Sequence, residues 1–130
     1  MVRALKVVLV VFGVVGILLG LALVFFPGKL ASMSGVSEGT SYLKYTMASF
    51  GVLVISVNVF LIVAARDPLR HINWVKFAIV AYILGTVAGL YSIIKGDVDF
   101  SHAGTLLIMH AVFAVVLLAL YPWRAKPSGK

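Results

Sequence analysis

The chain has 130 residues, of which 62% are hydrophobic and 12% are charged, and its mean hydropathy is +1.13. A soluble globular domain averages about half apolar and about a quarter charged residues, so this composition excludes an ordinary soluble domain. The 11 basic residues outnumber the 4 acidic ones, but they flank apolar segments instead of forming a basic cluster with interleaved aromatic residues, which argues against nucleic acid as a partner.

Four apolar runs are long enough to cross a membrane as helices, since a span needs roughly 20 apolar residues. In chain order they cover about residues 4–26, 45–65, 74–94 and 104–121. Each run is continuously apolar, whereas the strands of a transmembrane barrel alternate polar and apolar residues. The sequence therefore predicts an all-α transmembrane four-helix bundle that forms a single integral membrane domain over residues 1–130.

The first predicted helix carries a stripe of glycines, Gly13, Gly16 and Gly20, at steps of three and four. The run is too long for the apolar region of a signal peptide, so we expect it to be retained. Because the hydrophobic effect does not draw helices together in lipid, close contact requires small residues. We expect the stripe to pack within the chain; a homodimer face or a partner subunit is the alternative.

The longest predicted loop runs from Pro27 to Lys44 and is rich in glycine and serine. This composition predicts irregular structure, with one interfacial helical turn through Leu30, Met33 and Val36 as an alternative. The loop is the best candidate for a recognition surface outside the membrane.

Polar residues of the second predicted helix fall on two faces, Thr46, Ser49 and Ser56 on one and Asn58 on the other. Such groups usually hydrogen-bond to their own helix or to a neighbouring one. A small-solute transporter or channel lined by Ser49, Ser56, Asn58 and Tyr82 is the alternative.

The turn after the second helix contains Arg66, Asp67, Arg70 and His71. We interpret it as a solvated turn and topology anchor. Binding of an anionic lipid headgroup by Arg66 and Arg70 is the alternative.

The third predicted helix carries a second small-residue stripe, which we also expect to pack inside the bundle: Ala78, Ala81, Gly85, Ala88 and Ser92, with Gly89 beside it. Gly85 and Gly89 repeat the spacing of Gly16 and Gly20 at a distance of 69 residues. Two short matches allow either a duplicated helical hairpin or coincidence.

His110 in the fourth predicted helix is the one strong ionisable candidate inside a span, and intramembrane ionisable residues are functional suspects by default. It shares a helical face with Ala103 and Ala114, so we expect it to point into protein. A neutral histidine that ties helices together is one interpretation. The other is an axial ligand of a haem or chlorophyll-type pigment in a pigment-binding or quinone-linked redox protein.

The distribution of basic residues predicts the orientation. Eight lie on one side of the predicted bundle and three on the other; the eight are Arg3, Lys6, Arg66, Arg70, Lys76, Arg124, Lys126 and Lys130. The positive-inside rule places the side with eight in the cytoplasm. We therefore expect both termini of this multi-pass protein on the cytoplasmic side of the inner (plasma) membrane.

The layout of four short helices, with "GLALVFFPGKLASMSG" ending the first and "HAGTLLIMHAVFAVVLLALYPW" forming the last, resembles small DoxX-like four-helix membrane proteins. That grouping includes members associated with redox or quinone-linked membrane complexes. The resemblance implies the topology, and it transfers no catalytic residue to this sequence.

Several classes of function are disfavoured by what the spans lack. The chain has no cysteine, and no span contains Asp, Glu or an internal Arg, so the sequence offers no carboxylate proton relay and no nucleophile–base pair. We therefore predict a non-catalytic accessory or structural subunit. It would contact membrane lipids and pack against other integral membrane subunits of a larger respiratory or photosynthetic complex.

Overall fold

The protein is all-helical over residues 1–37 and 40–123, which are the residues that the computed structural model describes. The helices in chain order are α1 (Val2–Phe25), α2 (Pro27–Met33), α3 (Ser41–Arg66), α4 (Ile72–Lys95) and α5 (Phe100–Leu120). All except α2 are long and apolar enough to span a membrane. The predicted all-helical, multi-pass membrane class is therefore confirmed.

All four spans begin earlier than the apolar runs predicted, α1 and α4 by two residues and α3 and α5 by four. α3 begins at Ser41 instead of Tyr45, because the Thr40 hydroxyl accepts a hydrogen bond from the Leu43 N–H at 3.3 Å and so caps the helix. α5 begins at Phe100 instead of Gly104. A helix satisfies its backbone hydrogen bonds beyond the edge of the hydrocarbon as well as within it, so its ends do not coincide with the ends of the apolar run.

The segment predicted to be irregular contains α2. The single turn considered over Leu30, Met33 and Val36 is instead the seven-residue helix Pro27–Met33, and Val36 lies outside it. Pro27 occupies the first helical position, where its missing N–H would have no partner and its fixed φ suits a helix.

α4 ends at Lys95 and is capped by Gly96, which adopts a left-handed conformation with φ of 81°. The Gly96 N–H bonds to the Ile93 carbonyl at 3.1 Å and the Asp97 N–H bonds to the Ser92 carbonyl at 3.0 Å. Glycine adopts this conformation without the steric penalty of a side chain. The chain therefore reverses sharply into α5.

The spans form two antiparallel hairpins. α1 packs mainly on α3 and α4 packs mainly on α5, while contact between the hairpins is smaller. We call the end with the α3–α4 connection (residues 67–71) the turn end and the opposite end the loop end. The buried core lies toward the turn end and draws on all four spans: Leu5, Leu9, Phe12, Leu61, Ala64, Ala65, Val75, Ala78, Ile79 and Leu117.

Candidate functional site

The closest helix contact joins α1 to α3 through glycines. A methyl group on Gly20 would lie 2.8 Å from the Gly51 carbonyl oxygen, and one on Gly51 would lie 2.7 Å from the Gly20 carbonyl oxygen. Gly13 lies on the same face, where a methyl group would be 3.1 Å from the Asn58 carbonyl oxygen. The two backbones therefore meet directly, and the glycine stripe of α1 is buried against α3.

Asn58 is the buried polar side chain of this contact, with 6% of its surface exposed. Its amide packs on Gly16, where any Cβ would overlap it. The Asn58 Nδ2 donates to the Val54 carbonyl at 2.8 Å, while Oδ1 has no hydrogen-bond partner among the described residues. The Cα–H group of Gly16 that a Cβ would replace points at this amide and can supply only a weak C–H···O donor. Glycine at position 16 thus leaves room for the Asn58 amide, whereas a residue with a Cβ would not.

α4 and α5 meet at a second glycine contact, which involves His110. A methyl group on Gly85 would lie 3.2 to 3.3 Å from three ring atoms of His110, Cγ, Cδ2 and Cε1. Nearly equal distances to atoms around the ring mean that the imidazole lies with its face on Gly85. One turn away, a methyl group on Gly89 would lie 3.0 Å from Leu107. His110 therefore occupies a helix interface, half-buried.

Three aromatic rings join the two hairpins. Phe12 of α1 stacks on Phe113 of α5 with ring centroids 3.6 Å apart. Tyr82 of α4 meets Phe113 edge-on at 5.2 Å and Phe12 at 6.2 Å. The Tyr82 and His110 ring centroids are 5.8 Å apart. Since each aromatic pair is worth about 0.5–1.5 kcal/mol beyond its burial, this cluster is a principal link between the hairpins.

The two hairpins share a contact pattern. In the first, Asn58 lies on Gly16 and Ile55 on Gly20; in the second, His110 lies on Gly85 and Leu107 on Gly89. In both hairpins, a step of four residues forward along the first helix corresponds to a step of three residues backward along the second. α1 and α4 also have the same length, 24 residues. Any antiparallel pair of helices with glycines at a step of four gives this pattern, so a duplicated hairpin stays a prediction.

The structure separates the residues considered for a transport path. Ser49 and Ser56 are exposed on α3, whereas Asn58 is buried against α1 and Tyr82 belongs to the aromatic cluster. The Ser56 hydroxyl donates to the Val52 carbonyl at 2.9 Å, within its own helix. Thr46 and Thr86 likewise donate to carbonyls four residues earlier. The structure does not bring these groups together around one channel.

The turn between α3 and α4 is organised by Asp67. Its Oδ1 accepts the Arg70 N–H at 3.2 Å, and its carbonyl accepts the His71 N–H at 3.0 Å. Arg66 and Arg70 are exposed. Both side chains are thus available to lipid headgroups, and headgroup binding by this pair stays a prediction.

Among the described residues, no group of three or more His, Cys, Asp and Glu side chains is placed to hold a metal ion. A Ser101 hydroxyl lies 3.4 Å from His102 Nδ1, but both residues are exposed and adjacent in the chain. Ligation of a haem or chlorophyll-type pigment by His110 stays a prediction. The observed position of His110, face-on against Gly85, is that of a helix-packing residue.

Sequence reasoning missed several partners in these contacts. Gly51 lacks a second small residue at a step of four, so nothing marked it as the partner of Gly20. In the sequence, nothing distinguishes Phe12 and Phe113 from lipid-facing residues, although their rings stack on each other in the structure. The His102 ring packs beside Gly35 after α2, where a methyl group would lie 2.9 Å from Nε2, a contact that the sequence did not indicate.

No family model matches the chain, and comparison with curated proteins and with solved structures gives no significant match. The resemblance to the DoxX-like proteins therefore rests on the layout of the helices alone.

Proposed function

We propose that this protein is a non-catalytic accessory subunit that packs against a larger membrane complex, such as a respiratory or photosynthetic one. The observation that supports the proposal most is the exposure of α4. In its most apolar window only 11% of the residues are buried within the chain, against 22% to 28% for the other three spans. The span least covered by its own chain is thus the one that carries the longest small-residue stripe.

The small residues of α4 divide between two faces, which differs from the expectation that the whole stripe packs inside. Gly85 and Gly89 contact α5, whereas Ala81 and Ala88 are exposed. Leu84 lies between these alanines and is 61% exposed. Two alanines seven residues apart lie on one helical face and permit close approach of another helix. We propose this face, Ala81, Leu84 and Ala88, as the docking face for a helix of another subunit.

Photo-crosslinking in native membranes tests the docking face. We expect a photoreactive residue at position 88 to give discrete adducts with a different membrane protein. The matched control is position 18 on α1, which lies 16 residues from its helix start, as position 88 does, and is 60% exposed. Equal adducts at both positions would contradict the proposal. Adducts that contain only a second copy of this chain would replace the hetero-complex with a homo-oligomer.

We also propose that both termini face the cytoplasm in the inner (plasma) membrane, because eight of the eleven basic residues lie on that side of the spans. The natural chain has no cysteine, so single-cysteine variants report single positions. We expect a membrane-impermeant maleimide to label Ser37→Cys in intact cells and Leu69→Cys only after the cells are broken. The reverse pattern would invert the topology.

A further inference from the structure

An open groove lies at the turn end, between the first turns of α4 and the end of α5. It has a volume of about 310 Å³ and is lined by Lys76, Ile79, Val80, Leu118, Tyr121 and Trp123. This volume is near the lower end of small-molecule sites, about 300 Å³. Apart from the Lys76 ammonium and the polar tips of the two aromatic side chains, the groove presents hydrocarbon. Its walls therefore suit an acyl chain.

The position of the groove is that of a membrane interface. Lys76 lies four residues after the start of α4, about 6 Å along the helix, so its side chain reaches the headgroup region. Trp123 is 71% exposed, and its indole N–H donates to the Leu118 carbonyl at 3.1 Å. The Tyr121 and Trp123 rings meet at 4.7 Å. Tyrosine and tryptophan favour this depth in membranes.

The charge near the groove is unbalanced. Lys76, Arg66 and Arg70 are exposed at the turn end, where Asp67 is the acidic residue among those described. The Asp67 carboxylate accepts a backbone N–H of its own turn. The ion pair found among the described residues joins Lys95 to Asp97, at the loop end. An anionic group at the mouth of the groove would therefore meet the Lys76 ammonium, which has no carboxylate partner among the described residues.

We propose that this groove binds an anionic phospholipid, with one acyl chain between α4 and α5 and the phosphate at the Lys76 ammonium. The site differs from the Arg66 and Arg70 pair because it combines a cation with an apolar groove. It requires neither the docking face nor a particular orientation, since it lies in whichever leaflet contains the turn end.

Tryptophan fluorescence tests the proposal directly, because Trp123 lines the groove. The other tryptophan, Trp74, stacks on Phe60, so Trp74→Phe provides a background with one reporter. The full chain is reconstituted with lipids that carry brominated acyl chains, which quench nearby indoles. We expect half-maximal quenching at about a fivefold lower mole fraction of phosphatidylglycerol than of phosphatidylcholine, the preference that one interfacial cation gives.

Two matched pairs of variants separate the groove from general effects. Lys76→Gln should abolish the headgroup preference, whereas Lys6→Gln, which removes a charge at the same end from α1, should retain it. Val80→Phe should reduce quenching by both lipids, whereas Val87→Phe, on α4 outside the groove, should not. Equal quenching by both headgroups in the unaltered groove, or equal loss of preference in Lys6→Gln, would overturn the proposal. Insensitivity of Trp123 to every brominated lipid would do so as well, since the groove would then be covered by protein.

Discussion

Gly20→Ala is expected to destabilise the protein more than any other single substitution of a glycine by alanine in α1. The added methyl group would lie 2.8 Å from the Gly51 carbonyl oxygen and 3.1 Å from the Ile55 nitrogen, both of which are backbone atoms. Backbone cannot rotate away as a side chain can, so α1 and α3 must separate and lose contact along their length. Overpacking of this kind costs about 1–3 kcal/mol or more in the free energy of unfolding.

Unfolding in mixed micelles, driven by increasing SDS and followed by circular dichroism, measures this effect. Gly28→Ala is the chemical control, because its methyl group would lie 3.5 Å from the Lys44 side chain, an ordinary contact. Adding Ile55→Ala to Gly20→Ala should not restore stability, since the clash with the Gly51 carbonyl remains. If Gly20→Ala matched the unaltered protein, the direct backbone contact of α1 with α3 would be wrong.

The spans were predictable from the sequence because lipid imposes a strict requirement on the chain. Every backbone polar group in the hydrocarbon must be satisfied within the chain, so long apolar runs become helices. Their ends were less predictable, since local caps decide them. Thr40 starts α3 ahead of the apolar run, and Gly96 ends α4 by its left-handed backbone. α2 is a similar case: it begins with Pro27 at the first helical position, in a segment whose glycine and serine content predicted an irregular loop.

The pairing of the helices was not predictable from composition. A glycine stripe shows which face of a helix can closely approach another helix, but it does not show which helix that is. Asn58 and Gly51 lie on one face of α3, and both residues meet α1, at Gly16 and Gly20 respectively. The outward position of Ala81 and Ala88 was missed, because a helical wheel gives no information on how wide a face the neighbouring helix covers.

The contact between His110 and Gly85 agrees with the interpretation of His110 as a neutral histidine that holds two helices together. An imidazole face on a glycine backbone is compact, and it resembles the Asn58 amide on Gly16 in the other hairpin. In each hairpin, one polar side chain packs on a glycine of the partner helix. The two helices can therefore approach closely only in a register that brings this side chain to a glycine. A slide of one turn would move Asn58 from Gly16 to Gly20, the position that Gly51 occupies here, so the close contact of Gly20 with Gly51 would be lost.

The register role of Asn58 predicts strong coupling between Gly16→Ala and Asn58→Ala. Alone, Gly16→Ala forces the Asn58 amide out of its position and breaks its hydrogen bond to the Val54 carbonyl, so we expect a loss of about 1–3 kcal/mol in the free energy of unfolding. Asn58→Ala removes the amide that the new methyl group would meet, together with an oxygen that has no partner among the described residues. The double variant should therefore be more stable than the sum of the two single effects predicts, by about 1–2 kcal/mol.

The matched comparison for this double-mutant cycle is Gly20→Ala with Asn58→Ala. Gly20 meets Gly51 and Ile55 instead of Asn58, so the two effects should add within about 0.5 kcal/mol. Both cycles use the same SDS titration. Equal coupling in the two cycles would mean that Asn58→Ala loosens α3 as a whole, whereas coupling confined to Gly16 assigns the amide to that glycine. Since α1, α3, α4 and α5 contain no carboxylate, and their arginines, Arg3 and Arg66, lie at helix ends, this amide–glycine contact is among the few polar contacts by which the chain can select one register of α1 on α3.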